Sequence, residues 1–229
     1  MRVEPYAVGS YMHVIKRGAR GLDIVRNNAD RYRFIRSLYY LNDSFVYPHW
    51  ASETKRLGMF HRPQSWPARE PFVEIVAYTL MPNHFHLIMH EVRENGMSHF
   101  MKKLGQSVTN HANEKYQEQG SIFQGSYRSK TIGGDDYLRY VSAYIMVKNT
   151  FELYLEGGLE AAQLDFDRAW DWAVQYPFSS LGDFAGTRTN SPIVTSTLLK
   201  EIFSTKTFKS FSRDVVLAGK WLRKEKELE

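Results

Sequence analysis

The predicted order of secondary-structure elements favours an α+β fold, in which helices cover one face of an antiparallel β-sheet. A hairpin pattern at residues 72–92 and helical patterns on either side of it carry this prediction. In chain order the patterns read strand, helix, two hairpin strands, helix, strand and helix. This is the order of ferredoxin-like and RRM-like domains, and a helical C-terminal extension follows it.

The hairpin is the best-defined element of the sequence. Two largely apolar runs, 72–80 and 85–89, flank a Met-Pro-Asn break at 81–83, and Pro and Asn are typical of turns. Side chains alternate between the two faces of a strand, so His84 and His86 share one face. Two imidazoles at this spacing indicate a site for one divalent cation. An ordinary pair of surface histidines is the alternative.

The other elements of the first 150 residues are predicted from apolar spacing, turn residues and helix caps. Strands are predicted at 11–16 and 127–132, and helices at 28–41, 98–119 and 135–149. Asn28 and Ser98 are the predicted N-caps of the first two helices, and His13 is predicted as a strand residue without chemistry. Residues 42–70 read as a long loop whose aromatic side chains pack on the domain or stack on bases.

The chain divides into two predicted units. Residues 1–150 form the predicted α+β domain, and residues 151–229 form a helical extension that is expected to pack on it or flank it. Helices are predicted in the extension at 159–175, 195–203 and 207–226. The mixed-charge run 223–229 is predicted as a solvated helix end.

Composition narrows the class of function. The formal net charge is +5 and the pI about 9.2, which favours polyanions as partners. The absence of cysteine excludes disulfides, thiolate zinc sites and a cysteine nucleophile, and fits a cytoplasmic location. No apolar run reaches the roughly 18–20 residues of a membrane span, and the first residues lack the apolar stretch of a signal peptide. No membrane partner is therefore expected.

Four basic residues are predicted to bind DNA. Arg17 and Arg20 flank glycine in the turn after the first strand, and Arg128 and Lys130 lie on the strand at 127–132. Such residues contact the phosphate backbone, and an open sheet face beside the histidines would hold the rest of the strand. A solvated loop is the alternative for the glycine-containing turn.

Three stretches carry a family resemblance. They read Tyr-Thr-Leu-Met-Pro-Asn-His-Phe-His-Leu-Ile-Met at 78–89, Gly-Ser-Ile-Phe-Gln-Gly-Ser-Tyr at 120–127, and Asp-Tyr-Leu-Arg-Tyr-Val-Ser-Ala-Tyr-Ile at 136–145. Together they resemble the single-tyrosine HUH transposases, especially the REP-associated tyrosine transposases and related insertion-sequence proteins. The first strand and a Tyr-Pro-Phe-Ser-Ser segment at 176–180 are similar to family motifs as well, so the resemblance covers about residues 10–182.

The resemblance implies a metal-dependent tyrosine transposase or DNA nickase of the HUH type. By position, His84 and His86 match the metal ligands and Tyr144 matches the nucleophile, which forms a 5′-phosphotyrosine. The implied cofactor is Mg²⁺, with Mn²⁺ as an active substitute, and no nucleotide cofactor is required. The implied partner is single-stranded or hairpin DNA, bound by an active site within one chain or across a homodimer.

One position departs from the family pattern. The family's third metal ligand commonly lies four residues after the tyrosine, where this chain has Lys148. A lysine ammonium has no lone pair for a cation, although its charge would favour the ionised form of Tyr144. Asn149 rotated inward by a helix bulge, Gln124, His90 or water would then complete the site.

Three other functions stay open on the sequence alone. A catalytically weakened regulator would bind DNA hairpins without cutting them. A metal-dependent phosphodiester hydrolase would use the two histidines and would not need Tyr144. An RNA-binding α+β domain would leave the histidines without a role.

Overall fold

A four-stranded antiparallel sheet of order β2-β3-β1-β4 organises the computed structural model, which describes residues 6–45, 47–188, 191–195 and 197–218. Its strands are β1 (Tyr11–Arg17), β2 (Val73–Leu80), β3 (His84–Glu91) and β4 (Arg128–Thr131). The predicted hairpin is β2 and β3, which pair through the short turn at 81–83. β1 lies between β3 and β4 and pairs with both.

Helices connect and follow these strands. In the described part of the chain they are α1 (Asn28–Tyr40), α2 (Trp50–Glu53), α3 (Gly96–Tyr116), α4 (Asp135–Ala143), α5 (Asn149–Phe151), α6 (Gly158–Leu164), α7 (Phe166–Ala173), α8 (Leu181–Ala185), α9 (Thr197–Ile202) and α10 (Thr205–Leu217). A 3₁₀ turn, Ala19–Gly21, follows β1, and a π-helical turn, Tyr144–Lys148, joins α4 to α5. The order β1-α1-β2-β3-α3-β4 is that of ferredoxin-like domains, so the predicted α+β fold class is confirmed.

Different helices pack on the two faces of the sheet. α1 and α3 cover one face, where Phe85, Leu87 and Met89 of β3 are fully buried. α4, the π turn and the C-terminal helices pack on the other face, against Ala77 and Ile88. The open sheet face expected beside the histidines is therefore wrong, because the apolar sides of these helices need a partner and find it there.

The C-terminal helices and α4 share one apolar cluster. Leu138 and Val141 of α4 are buried in it with Phe208, Val215 and Val216 of α10. Burial of side chains of this size stabilises the packing by about 1.5–3 kcal/mol each relative to exposure. The extension thus holds α4 against the sheet.

The Tyr-Pro-Phe-Ser-Ser segment at 176–180 pairs with the outer edge of β2. The Leu80 N–H donates to Phe178 O, and the Ser180 N–H donates to Tyr78 O, each at 2.9 Å. An uncovered edge strand exposes unpaired backbone groups. This segment therefore closes part of the sheet edge next to the hairpin.

Several local predictions differ from the structure. Asn27, not Asn28, caps α1, since its side chain accepts the Asp30 N–H at 3.1 Å. α3 begins at Gly96, before the predicted cap Ser98, whose hydroxyl bonds to a tyrosine hydroxyl at 2.6 Å.

The helix predicted at 159–175 is two helices, α6 and α7. They meet at Asp165, whose backbone leaves the helical region and whose side chain accepts the Arg168 N–H at 3.2 Å. An aspartate that caps the next helix competes with continuation of the first. Of the helix predicted at 207–226, the structure describes α10 up to Leu217; the end of that prediction and the charged run 223–229 lie outside the described residues.

The aromatic side chains of the 42–70 segment pack on the domain. Trp50 is buried and its ring stacks on Tyr40, with 5.0 Å between centroids. Trp66 contacts Tyr40 and Tyr47. None of the helices in the described ranges combines the length and apolar character that a membrane span needs.

Candidate active site

The register of the sheet brings three histidines together on one face. β3 pairs with β1 so that His84 lies opposite Arg17 and His86 lies opposite Ile15. His13 precedes Ile15 by two residues on β1 and therefore lies on the same face. Residues paired across antiparallel strands share a face. The ring centroids are 4.9 Å apart for His84 and His86, and 5.2 Å apart for His13 and His86. All three side chains are buried.

Each predicted metal ligand has one ring nitrogen engaged. His84 Nδ1 bonds to Asn83 Oδ1 at 2.6 Å, and His86 Nδ1 bonds to His13 Nε2 at 2.9 Å. His86 Nε2 is buried and has no hydrogen-bond partner among the described residues. A partner on Nδ1 fixes the ring and leaves Nε2 for a metal. The Nε2 atoms are therefore the ring nitrogens through which the two histidines would hold a metal ion.

His13 belongs to this cluster although the sequence predicts no chemistry for it. It lies on β1, and its contact with His86 depends on the pairing of β1 with β3. The signal in the sequence is weak: His13 is two residues from Ile15 and four from Arg17, on the strand face that proved to carry the site. The pairing register, which single-strand patterns do not give, was needed to find it.

Burial keeps the three imidazoles neutral. Burial, with a smaller effect from Lys130, lowers the pKa of His13 to about 3. Burial, with smaller effects from Arg17 and Lys148, lowers the pKa of His84 to about 4. Burial and the neighbouring histidines hold the pKa of His86 well below its usual value. A neutral imidazole keeps the lone pair that ligation requires.

Tyr144 lies against the histidine pair. Its ring meets His86 edge to face, with 5.7 Å between centroids and an interplanar angle of 83°. It is the first residue of the π turn, and it is fully buried. On the same helical segment Tyr137 lies beneath Lys130, whose Nζ is 5.1 Å from the ring centroid. Tyr144 is thus in contact with a predicted metal ligand.

The helix bulges at the position where the sequence departs from the family pattern. The Asn149 N–H donates to Tyr144 O, five residues back, which defines a π turn. Thr79 of β2 donates its hydroxyl to Ile145 O at 2.5 Å, binding a carbonyl of the distorted segment. The helix bulge considered from the sequence is therefore present.

Lys148 lies beside the tyrosine ring. Its Nζ is 4.8 Å from the centroid of the Tyr144 ring and 2.6 Å from Glu152 Oε1. The side chain is buried, and its charge is close enough to lower the pKa of both histidines predicted as ligands. The arrangement can stabilise an ionised phenol, and it supplies no lone pair to a cation.

The two predicted third ligands lie on different sides of the site. Asn149 is buried at the end of the π turn, and its Nδ2 has no hydrogen-bond partner in the described ranges. Gln124 is held next to β1, since its N–H donates to Arg17 O at 3.0 Å. The residues that the structure describes contain no group of three or more His, Asp or Glu side chains arranged to hold a metal. Two imidazoles with an amide or water are the donor set that the site offers.

The predicted DNA-binding residues surround the same face. By register the following three lie on it: Arg17, Arg128 and Lys130. Arg20 is exposed in the 3₁₀ turn after β1, with a left-handed backbone conformation (φ 56°). The positive charge of these side chains suits a phosphate backbone at the entrance to the histidine cluster.

The comparison with protein families agrees with the motifs. Residues 67–148 match the model of a family described as IS200-like transposases, and this segment holds the two histidines predicted as metal ligands, together with Tyr144 and Lys148. The resemblance predicted from the sequence is therefore confirmed. The solved structure of a REP-associated tyrosine transposase bound to a REP hairpin is similar over 84% of this chain and 89% of that chain, with 15% sequence identity and a TM-score of 0.46. No curated protein matches the chain.

Proposed function

We propose that this chain, whose residues 67–148 match the IS200-like transposase family, cuts and rejoins single-stranded DNA, or the unpaired flank of a DNA hairpin, through Tyr144. The contact between Tyr144 and His86 carries the proposal, because it puts a nucleophile next to a pair of neutral imidazoles. These residues come from one chain, which supports a site assembled within a monomer rather than across a homodimer.

The reaction exchanges one phosphodiester for another. The Tyr144 oxygen attacks phosphorus, its proton is lost to solvent, and the bond from phosphorus to the 3′ oxygen breaks. The 3′ oxygen takes up a proton, so the products are a 3′-hydroxyl and a 5′-phosphotyrosine. Rejoining is the reverse reaction with a second 3′-hydroxyl. The bond count is unchanged, so no nucleotide cofactor is required.

Lys148 is the residue proposed to activate the nucleophile. A free phenol has a pKa of about 10 and is protonated at neutral pH. A positive charge within hydrogen-bonding or ring-contact distance favours the phenolate, and the Lys148 ammonium lies 4.8 Å from the ring centroid. Glu152, 2.6 Å from Lys148 Nζ, orients that ammonium.

His84 and His86 are the residues proposed to hold Mg²⁺ or Mn²⁺ through Nε2, with Asn149 or Gln124 as the third ligand. A bound divalent cation supplies charge neutralisation and orientation of a nonbridging phosphate oxygen. Imidazole ligands suit Mn²⁺ better than Mg²⁺, which prefers oxygen. Asn83 and His13 are the residues that orient the two rings.

The basic side chains are proposed to hold the DNA backbone. Arg17, Arg128 and Lys130 flank the histidine face, and Arg20 extends the basic surface into the following turn. Because Tyr144 is buried, bound DNA must displace covering residues to reach its hydroxyl. Residues 1–150 are proposed as the catalytic domain, with 151–229 as the unit that holds α4 in place.

A regulator that binds DNA hairpins without cutting them is the second candidate. Lys148 favours it, since a buried ammonium beside the histidines opposes the binding of a divalent cation and supplies no ligand. Such a protein would keep the fold and the basic surface and lose the chemistry.

The test is incubation of the full chain with a panel of single-stranded hairpins and Mn²⁺, read on a denaturing gel. The expected result is a protein–DNA adduct that survives denaturation. The adduct should disappear in Tyr144→Phe, because this substitution removes the hydroxyl of the proposed nucleophile. It should persist in Tyr140→Phe, which leaves that hydroxyl in place. Hairpin binding without any adduct or cut strand supports the regulator. Metal-dependent cutting that continues in Tyr144→Phe without an adduct supports a hydrolase.

A further inference from the structure

A groove opens on the side of the sheet opposite the histidines. It has a volume of about 440 Å³ and lies between α3, the loop at 120–123 and Lys16 of β1. That volume is within the range of about 300–1,000 Å³ typical of ligand sites. The groove is not used by the proposed chemistry of Tyr144.

The groove is lined by cations and by neutral hydrogen-bonding side chains. One face of α3 contributes Lys102, Gln106, Thr109, Asn110 and Asn113, at spacings of three and four residues. No acidic residue lines it, and Met101 and Phe123 supply apolar surface. Such a lining suits an anionic ligand whose rings carry hydrogen-bonding groups along their edges. A nucleotide unit has these properties.

Lys16 is held in place as part of the groove wall. Its Nζ donates to Gly125 O at 2.7 Å and lies 4.8 Å from the centroid of the Phe123 ring. Its stem crosses α3 at Gly105, where an added Cβ would lie 3.3 Å from Lys16 Cε. One of three N–H donors is used by Gly125. A cation fixed in this way is ready for a phosphate without further ordering.

The groove and the histidine site share one end of β1. Lys16 and Arg17 are consecutive and point to opposite faces of the sheet, and Arg17 is the cross-strand partner of His84. The loop between the two sites is fixed to β1, since the Gln124 N–H donates to Arg17 O at 3.0 Å and Ala19 donates to Ile122 O at 2.8 Å. The loop that lines the groove is therefore tied to the same end of β1 that carries Arg17.

We propose that this groove binds the nucleotides of the single-stranded substrate that flank the cleaved phosphate. Lys16 and Lys102 contact phosphate, and the exposed amides of Gln106 and Asn110 read a base edge, as asparagine and glutamine do with adenine. The inference rests on the proposed function, and it assigns sequence preference to α3 rather than to the catalytic face.

The experiment compares two double variants in the full chain. Lys102→Ala/Gln106→Ala removes a cation and an amide from the groove, and Lys55→Ala/Gln175→Ala removes the same two groups from exposed positions outside it. Binding of fluorescent single-stranded oligonucleotides of varied sequence is measured by anisotropy at several salt concentrations, in a Tyr144→Phe background that prevents cutting. Adduct formation is measured separately with Tyr144 intact and DNA in excess.

The groove variant is expected to lose about tenfold in affinity and most of its base preference, with a salt slope smaller by about one. The control variant is expected to bind as the parent does. Adduct formation at saturating DNA persists in the groove variant, because the catalytic residues are untouched. If the groove variant binds DNA more weakly while neither the parent nor the variants form an adduct, the proposed DNA binding in the groove is supported and the proposed chemistry of Tyr144 is wrong. Equal affinity and base preference in both double variants, or no single-strand binding by the parent, overturns the groove.

Discussion

At the scale of single residues, His13 decides what His86 can do. Two neutral tautomers satisfy the 2.9 Å bond between His13 Nε2 and His86 Nδ1. If His86 donates, its Nε2 carries a lone pair and can bind a metal. If His13 donates, the proton of His86 sits on Nε2 and ligation is blocked. The proposed function requires the first tautomer.

His13→Leu is therefore expected to weaken Mn²⁺ binding by about 10- to 100-fold, while His13→Gln, whose carbonyl accepts a hydrogen bond, recovers most of it. Calorimetry measures the affinity, and ¹⁵N shifts of the His86 ring report the tautomer. His99→Leu, an exposed histidine away from the site, is the control and leaves both readouts unchanged. Equal Mn²⁺ affinity in His13→Leu and the parent would contradict this role.

The sequence indicated the candidate site residues better than the residues that contact them in the folded chain. Strand alternation, a local property, put His84 and His86 on one face, and the family resemblance singled out Tyr144, whose ring lies against His86. Lys148 lies over the Tyr144 ring four residues along the same helical segment, which is also a local relation. The contact of His13 with His86, by contrast, depends on how two separate strands meet. Local patterns contain no information on that register.

At the scale of elements, the π turn is the feature that links Tyr144 to Asn149. The turn moves Asn149 relative to a regular helix, and Thr79 of β2 binds the Ile145 carbonyl inside it. Strand β2 and the helical segment that carries Tyr144 are thus joined next to His86, the cross-strand neighbour of Thr79. Thr79 is a buried polar residue near the end of β2, and the Ile145 carbonyl is its partner on the neighbouring segment.

Thr79→Val keeps the shape of the side chain and leaves the Ile145 carbonyl without its partner. An unsatisfied buried acceptor costs about 1–3 kcal/mol, so the free energy of unfolding in urea should fall by this amount. Thr205→Val, at an exposed helix start, is the matched control and should change it by less than about 0.5 kcal/mol. Wild-type stability in Thr79→Val would mean that the hydroxyl does not support the turn.

Element boundaries were predicted less well than element types. The hairpin and α1, α3 and α4 were found because their apolar spacing is regular. The break at Asp165 and the caps of α1 and α3 were missed, since an aspartate or asparagine is compatible with both a helix interior and a cap. The backbone torsion of such a residue decides whether its side chain caps the helix, and the sequence pattern does not give that torsion.

At the scale of the whole molecule, the sheet order follows from the predicted sequence of elements, and the second helical layer does not. The apolar faces of α7 and α10 indicate burial, and only the folded chain shows that their partner is the histidine side of the sheet. On the opposite layer, Asp30 joins α1 to α3. It accepts bonds from Lys115 and Tyr116, each at 2.5 Å, and from the Arg26 N–H at 2.9 Å.

These bonds make stability depend on pH in a defined direction. Burial alone would raise the pKa of Asp30, but the hydrogen bonds from Lys115 and Tyr116 outweigh it and the pKa lies well below its usual value. The folded state therefore binds this proton less readily than the unfolded chain, whose aspartate has a pKa of about 3.9. The stabilisation is complete above that value and is lost as the pH falls below it.

Asp30→Asn is expected to lower the free energy of unfolding by about 2 kcal/mol at pH 6, and the gap from wild type should narrow toward pH 3. Urea titrations across this range measure both effects, with the exposed Asp171→Asn as the control. A gap that is constant from pH 6 to pH 3 would show that the carboxylate charge is not the source of the stabilisation.

The identity of the nucleophile is the central claim, and one measurement tests it directly. The covalent adduct formed with a hairpin oligonucleotide and Mn²⁺ is digested with protease and nuclease, and mass spectrometry locates the nucleotide remnant on the peptide. Tyr137, Tyr140 and Tyr144 lie on one continuous helical segment, so fragmentation must separate them. The account predicts the remnant on Tyr144, the tyrosine in contact with His86; a remnant on Tyr140 or Tyr137 would contradict it.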